Sequence, residues 1–158
     1  MDGLNSPTPN SPHEPSEPGS QTSLSIAVAD DVEGIRELIR LWAHDAGHRV
    51  VCASDGASLI TIMRSNRFDL VITDVLMPDG DGLEVILELR KNRFNPRILA
   101  ISGGGRHWRA PDCLKVAKGL GAHAILQKPF TRHDLFAAIA VAMSPNATKS
   151  SETTPPID

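Results

Sequence analysis

The stretch 68–82, FDLVITDVLMPDGDG, decides the reading of the fold. Phe68 to Thr73 is short and mostly apolar, the pattern of a strand buried on both faces, and it ends at an acid, Asp74. Pro78, Gly80 and Gly82 then punctuate a loop, after which Leu83, Ile86 and Leu87 resume at helical spacing. Strand, polar terminus, loop and helix make one unit, and the unit repeats in both directions.

Upstream, the apolar run Leu24–Ala29 ends at Asp30-Asp31. Ile35, Leu38, Ile39 and Trp42 follow at i, i+3, i+4 and i+7, one face of a helix that Gly47 stops. Val50–Ala53 is another short strand, followed by the helical positions Leu59, Ile62 and Met63. Downstream, Arg97–Ile101 ends at Ser102, and the loop opening with Gly103-Gly104-Gly105 leads to Cys113, Leu114 and Ala117, a helix stopped near Gly119 or Gly121. Ala124–Leu126 ends at Lys128-Pro129, and Leu135, Phe136 and Ile139 mark a last helix. Parallel strands need crossovers, so five such units imply an α/β fold: a five-stranded parallel sheet inside a three-layer α/β/α sandwich.

The 158 residues suit one domain, and 41% hydrophobic with 22% charged residues fits a globular chain. Residues 1–22 hold five prolines among Ser, Asn, Thr and Glu, and 144–158 are similarly polar; both read as disordered tails around a domain at 23–143. No apolar run is long enough to cross a membrane and the first twenty residues lack a signal-peptide core, so a cytoplasmic protein without membrane insertion is expected. Cys52 and Cys113 make no metal-like spacing and read as reduced, buried thiols. Between residues 24 and 143 there are fifteen Lys and Arg against fourteen Asp and Glu, which argues against a nucleic-acid partner.

A parallel sheet brings the strand-end residues Asp30, Asp31, Asp74, Ser102 and Lys128 to one edge. Three carboxylates in one mouth repel each other and call for a compensating cation. Mg²⁺ suits, being a hard ion held by one or two carboxylates plus phosphate oxygens and waters. Lys128 adds a positive charge and Ser102 a hydroxyl donor, parts that position a transferring phosphoryl group and make Asp74 the natural nucleophile. Taken alone, Asp30-Asp31 also reads as a helix N-cap pair, while Asp79 and Asp81 beside glycines read as turn formers. The six histidines show no metal spacing; Trp42 reads as core and Trp108, among Arg106, His107 and Arg109, as exposed.

Four ordered motifs, Ala29-Asp30-Asp31, Asp74 to Gly82, Ser102, and Gly121-Ala122 leading to Lys128-Pro129-Phe130, resemble the receiver domain of the two-component response regulators. The resemblance covers about residues 24–143 and implies the chemotaxis-type, flavodoxin-like (βα)5 topology. It further implies that Asp74 accepts a phosphoryl group from a histidine kinase or histidine phosphotransfer protein. Mg²⁺ would be contacted by Asp31, Asp74 and the Leu76 main-chain carbonyl, with Asp30 acting through water. Ser102 and Lys128 would hold phosphoryl oxygens, and the Lys128–Pro129 bond is expected to be cis. Ile125 stands where the family usually carries Tyr or Phe, the loop from Gly103 looks longer than usual, and nothing after residue 143 reads as an output domain. The expectation is therefore a stand-alone receiver, not an enzyme in its own right, that switches binding to a separate effector. Two alternatives stand beside it: a phosphorylation-independent scaffold, and a phosphohydrolase using Asp74, for which Leu76 occupies the position of the usual second acid.

Overall fold

The computed structural model describes residues 22–78, 82–91, 95–105 and 107–145. Strands and helices alternate as β1 (Ser25–Ala29), α1 (Glu33–Asp45), β2 (Arg49–Ala53), α2 (Gly56–Ser65), β3 (Leu70–Asp74), α3 (Gly82–Lys91), β4 (Arg97–Ser102), α4 (Ala110–Leu120), β5 (Ala124–Gln127) and α5 (Arg132–Met143). The strands form one parallel sheet in the order β2-β1-β3-β4-β5, the flavodoxin-like order.

The inner strands are apolar on both faces because each face is covered. Successive side chains alternate between layers. Ala27, Ala29, Val71, Ile98 and Ala100 meet Leu59, Met63, Ile86, Leu89, Cys113 and Leu114 from α2, α3 and α4. Ile26, Val28, Leu70, Ile72, Leu99 and Ile101 meet Ile39, Ala43, Leu135, Ile139 and Ala142 from α1 and α5. All five residues of β3 are buried, whereas the edge strands β2 and β5 alternate toward exposure.

Local chemistry sets the helix ends. Asp55 caps α2 by accepting the Ser58 N–H at 2.7 Å. Thr131 and Asp134 form a capping box that starts α5. The chain leaves α1 through Gly47 and α4 through Gly121, both at positive φ that a side chain would strain. His123 pins the start of β4: its N–H donates to the Ile98 carbonyl at 2.8 Å, and its Nδ1 accepts the Ile98 N–H at 3.0 Å.

Some expectations shift in detail. β3 begins at Leu70 rather than at Phe68, while Asp74 and Ser102 are, as expected, the residues on which β3 and β4 end. Trp42 is half-buried, edge-on to Phe130 at 6.4 Å, because it lies at the rim of the α1 contact face. Cys113 is buried, but Cys52 on edge strand β2 is only half-covered. Asp79, Gly80, Asp81, Arg106 and the segments 1–21 and 146–158 lie outside the described residues.

Candidate functional site

Strand register assembles the site. Ala29 lies across from Thr73, Asp74 across from Ile101, and Ser102 across from Gln127. Asp30 and Lys128 each follow directly on a paired strand end, so they leave the sheet at the same carboxyl edge as Asp74 and Ser102. Asp30, Asp74 and Ser102 are buried and Asp31 is exposed, which opens the cluster to solvent on the Asp31 side. Main-chain bonds fix the edge: Val75 N–H donates to Ile101 and Lys128 N–H to Ser102, each at 2.9 Å. The Lys128–Pro129 bond is cis.

Lys128 bridges the two buried acids. Its Nζ lies 2.6 Å from Asp30 Oδ2 and 3.0 Å from Asp74 Oδ2. The other carboxylate oxygens take main-chain donors, Asp30 Oδ1 from Val32 N–H at 2.9 Å and Asp74 Oδ1 from Leu76 N–H at 3.1 Å. The Lys128 ammonium is the partner of Asp30 Oδ2, and among the described residues no other donor reaches that oxygen. Ser102 Oγ accepts the Gly104 N–H at 3.0 Å, which leaves its own proton to donate.

Burial pushes the Asp74 carboxyl above its usual range; Lys128 and the Leu76 N–H pull it back, and Asp30 adds to the rise. Burial alone would lower the Lys128 ammonium, but hydrogen bonding and charge from Asp30 and Asp74 outweigh it and hold the group above its usual value, so it stays charged.

The donor set fits a hard divalent cation. Asp30, Asp31 and Asp74 each present a carboxylate oxygen, and these atoms lie within 4.8 Å of one another. Among the described residues the three carboxylates are paired with a single ammonium, that of Lys128, which gives such an ion a reason to bind, and the exposed Asp31 carboxylate gives it a way in.

Two supporting residues escape a reading of the sequence. Arg36 Nη1 reaches back from α1 to the Asp30 carbonyl at 2.7 Å, a contact that α1 creates and that no motif announces. Gly82 reads as loop punctuation and as the end of the motif that begins at Asp74, but not as a steric necessity, yet a Cβ there would stand 1.8 Å from the Asp74 carbonyl oxygen. Its N–H donates to the Val75 carbonyl at 3.1 Å, closing the loop behind the nucleophile candidate.

Comparison with known proteins agrees with this architecture. Residues 26–140 match the family described as the response regulator receiver domain, and the chain belongs to that family. It is 32% identical over 120 residues to the transcriptional regulatory protein PdtaR of Mycobacterium tuberculosis, an alignment covering 75% of this chain and 56% of PdtaR. It is 32% identical over 125 residues to the DNA-binding transcriptional regulator NtrC of Azospirillum brasilense, covering 79% of this chain and 25% of NtrC. The match thus spans about half or less of these relatives' lengths. The chemotaxis response regulator CheY4 of Vibrio cholerae superposes with a TM-score of 0.69 at 28% identity, over 77% of this chain and 99% of CheY4. No described helix is long and apolar enough to cross a membrane.

Proposed function

We propose that this chain is a cytoplasmic response-regulator receiver that accepts a phosphoryl group on Asp74 from a sensor histidine kinase or histidine phosphotransfer protein and thereby alters its binding to an effector. The observation that carries the reading is the convergence of Asp30, Asp31 and Asp74 within 4.8 Å, with Lys128 spanning two of them. Transfer forms one bond and breaks another. An Asp74 carboxylate oxygen attacks phosphorus, and the donor histidine nitrogen leaves with the electrons of the N–P bond.

The chain's own residues do the positioning. Leu76 N–H holds one Asp74 oxygen and leaves the other, now paired with Lys128, for attack. Lys128 can follow the charge onto the arriving phosphoryl oxygens, and the Ser102 hydroxyl can donate to them. Asp31, Asp74, the Leu76 carbonyl and, through water, Asp30 would hold Mg²⁺, whose charge would offset that of the phosphoryl oxygens. Ile125, 42% exposed on β5, has no ring with which to report phosphorylation. The readout is assigned instead to the segment from Gly103 to Asp112, which Ser102 Oγ grips through Gly104 N–H.

Fluoroberyllate, a stand-in for the acyl phosphate, tests the reading. A bound fluorine resonance that appears only with Mg²⁺ and is lost in Asp74→Asn is expected. A bound signal that survives the substitution rejects Asp74 as the acceptor.

A further inference from the structure

We propose that Arg36 is a positioning residue for the acidic pocket. It fixes the peptide between Asp30 and Asp31 and so sets where the Asp31 carboxylate stands toward a divalent cation. The inference rests on the pocket reading above and deepens it, since Arg36 itself touches neither the cation nor a phosphoryl group.

Asp30 is held at every polar atom. Its N–H donates to Ala53 at 3.3 Å, Oδ1 takes Val32 N–H, Oδ2 pairs with Lys128, and its carbonyl takes Arg36 Nη1 at 2.7 Å. Asp31 is held differently: it is exposed, and among the described residues no donor engages its carboxylate. Its position therefore depends on the backbone that carries it, and the carbonyl just before it is the one Arg36 grips. The contact is a short, charge-assisted hydrogen bond from a planar group on a regular helix, the kind of restraint that fixes an orientation. Arg36 is itself anchored, because its own N–H donates to the Val32 carbonyl at 3.2 Å in the first turn of α1.

Two effects of Arg36 on cation binding have opposite signs, which makes the assignment decidable. As a bare positive charge against the Asp30 main chain it opposes a second cation at the adjoining acids, so removing it should tighten binding. As a clamp on the Asp30–Asp31 peptide it favours binding, so removing it should loosen binding. Partners that orient metal ligands commonly contribute tenfold or more to affinity.

The test is a MgCl₂ titration of the full chain, followed by amide NMR shifts of residues 30–32 and 74–76, with thermal melting in chelator as a measure of metal-free stability. Arg36→Met, which keeps the apolar stem, should weaken Mg²⁺ binding by roughly tenfold. Arg36→Lys, which keeps a charged donor, should recover part of that loss. Unchanged or tighter binding in Arg36→Met overturns the proposal, including the case in which only the metal-free melting temperature falls. If Arg36→Met does not fold, Arg36→Gln takes its place with the same two outcomes. A parent chain that binds no Mg²⁺ overturns the pocket reading itself, a failure distinct from that of Arg36.

Discussion

Lys128 Nζ stands 2.6 Å from Asp30 Oδ2, an oxygen on a side chain with 0% exposure that no other described donor reaches. Without a divalent cation, this ammonium is the main counter-charge for both buried acids, so it matters to the fold before any phosphate arrives. Breaking a buried pair strands the remaining charge; with the Lys128 side chain 16% exposed, Lys128→Ala should cost the metal-free protein roughly 2–4 kcal/mol. Mg²⁺ should return part of that loss. Urea midpoints in chelator and in Mg²⁺ check both statements, and an unchanged metal-free midpoint would show that the ion pair contributes little.

Gly82 separates steric need from ordinary helix propensity. A Cβ there would overlap the Asp74 carbonyl oxygen and approach Val75 Cα to 2.8 Å, both backbone atoms that cannot turn aside. Gly82→Ala should therefore destabilise by about 3 kcal/mol. At Gly34 in α1 a Cβ meets nothing within 4 Å, and Gly34→Ala should stabilise by roughly 0.5 kcal/mol. Equal effects at the two positions would contradict the packing described.

The sheet and its acidic edge were legible in the sequence because buried parallel strands leave near-continuous apolar runs, and every run except Val50–Ala53 leads into a residue whose polarity has no place in a core. Phe68 to Asp74 is the clearest instance, with all of β3 buried. Contacts made across the fold by ordinary-looking residues were not legible. Nothing around Arg36 distinguishes it from the surface cation Arg40, four residues on, which pairs with Glu37 on the same helix. His123, of which the sequence shows only that it lacks metal-like spacing, proves to be a hydrogen-bond pin because Ile98, 25 residues away in sequence, is brought beside it.

That pin has a pH signature. Burial, then the charges of Arg97, Arg90 and Lys118, lower His123 to about 4 from an ordinary value of 6.5. Between those values the unfolded chain binds the extra proton, so the contribution is full above about pH 6.5 and is lost as pH falls toward 4. A protonated ring also cannot accept the Ile98 N–H. The loss should be on the order of 2 kcal/mol, allowing for partial solvent screening. Urea unfolding of the parent and His123→Asn from pH 7 to 4.5 checks it: the parent's advantage should shrink with acid, and a constant difference would contradict the assignment.

The loop after β4 should report occupancy of the site. Ser102 Oγ holds Gly104 N–H, Gly104 sits at positive φ, and Gly105 N–H donates to the Trp108 carbonyl at 2.9 Å, so a shift at Ser102 has a short path to Trp108. Trp108 is 46% exposed, and its emission should be sensitive to a change in that exposure. Because Trp42 packs against Phe130, two residues beyond Lys128, Trp42→Phe is the background to use. Fluoroberyllate with Mg²⁺ should shift the remaining emission; no change would remove this loop as the switch.

The function proposed for the site turns on Asp74 taking a phosphoryl group in a pocket whose negative charge demands a divalent cation. Intact-mass analysis after treatment with acetyl phosphate decides it. A single phosphoryl adduct is expected in Mg²⁺, abolished by Asp74→Asn and strongly reduced by chelator. Equal labelling of the Asp74→Asn chain, or labelling indifferent to chelator, would contradict it.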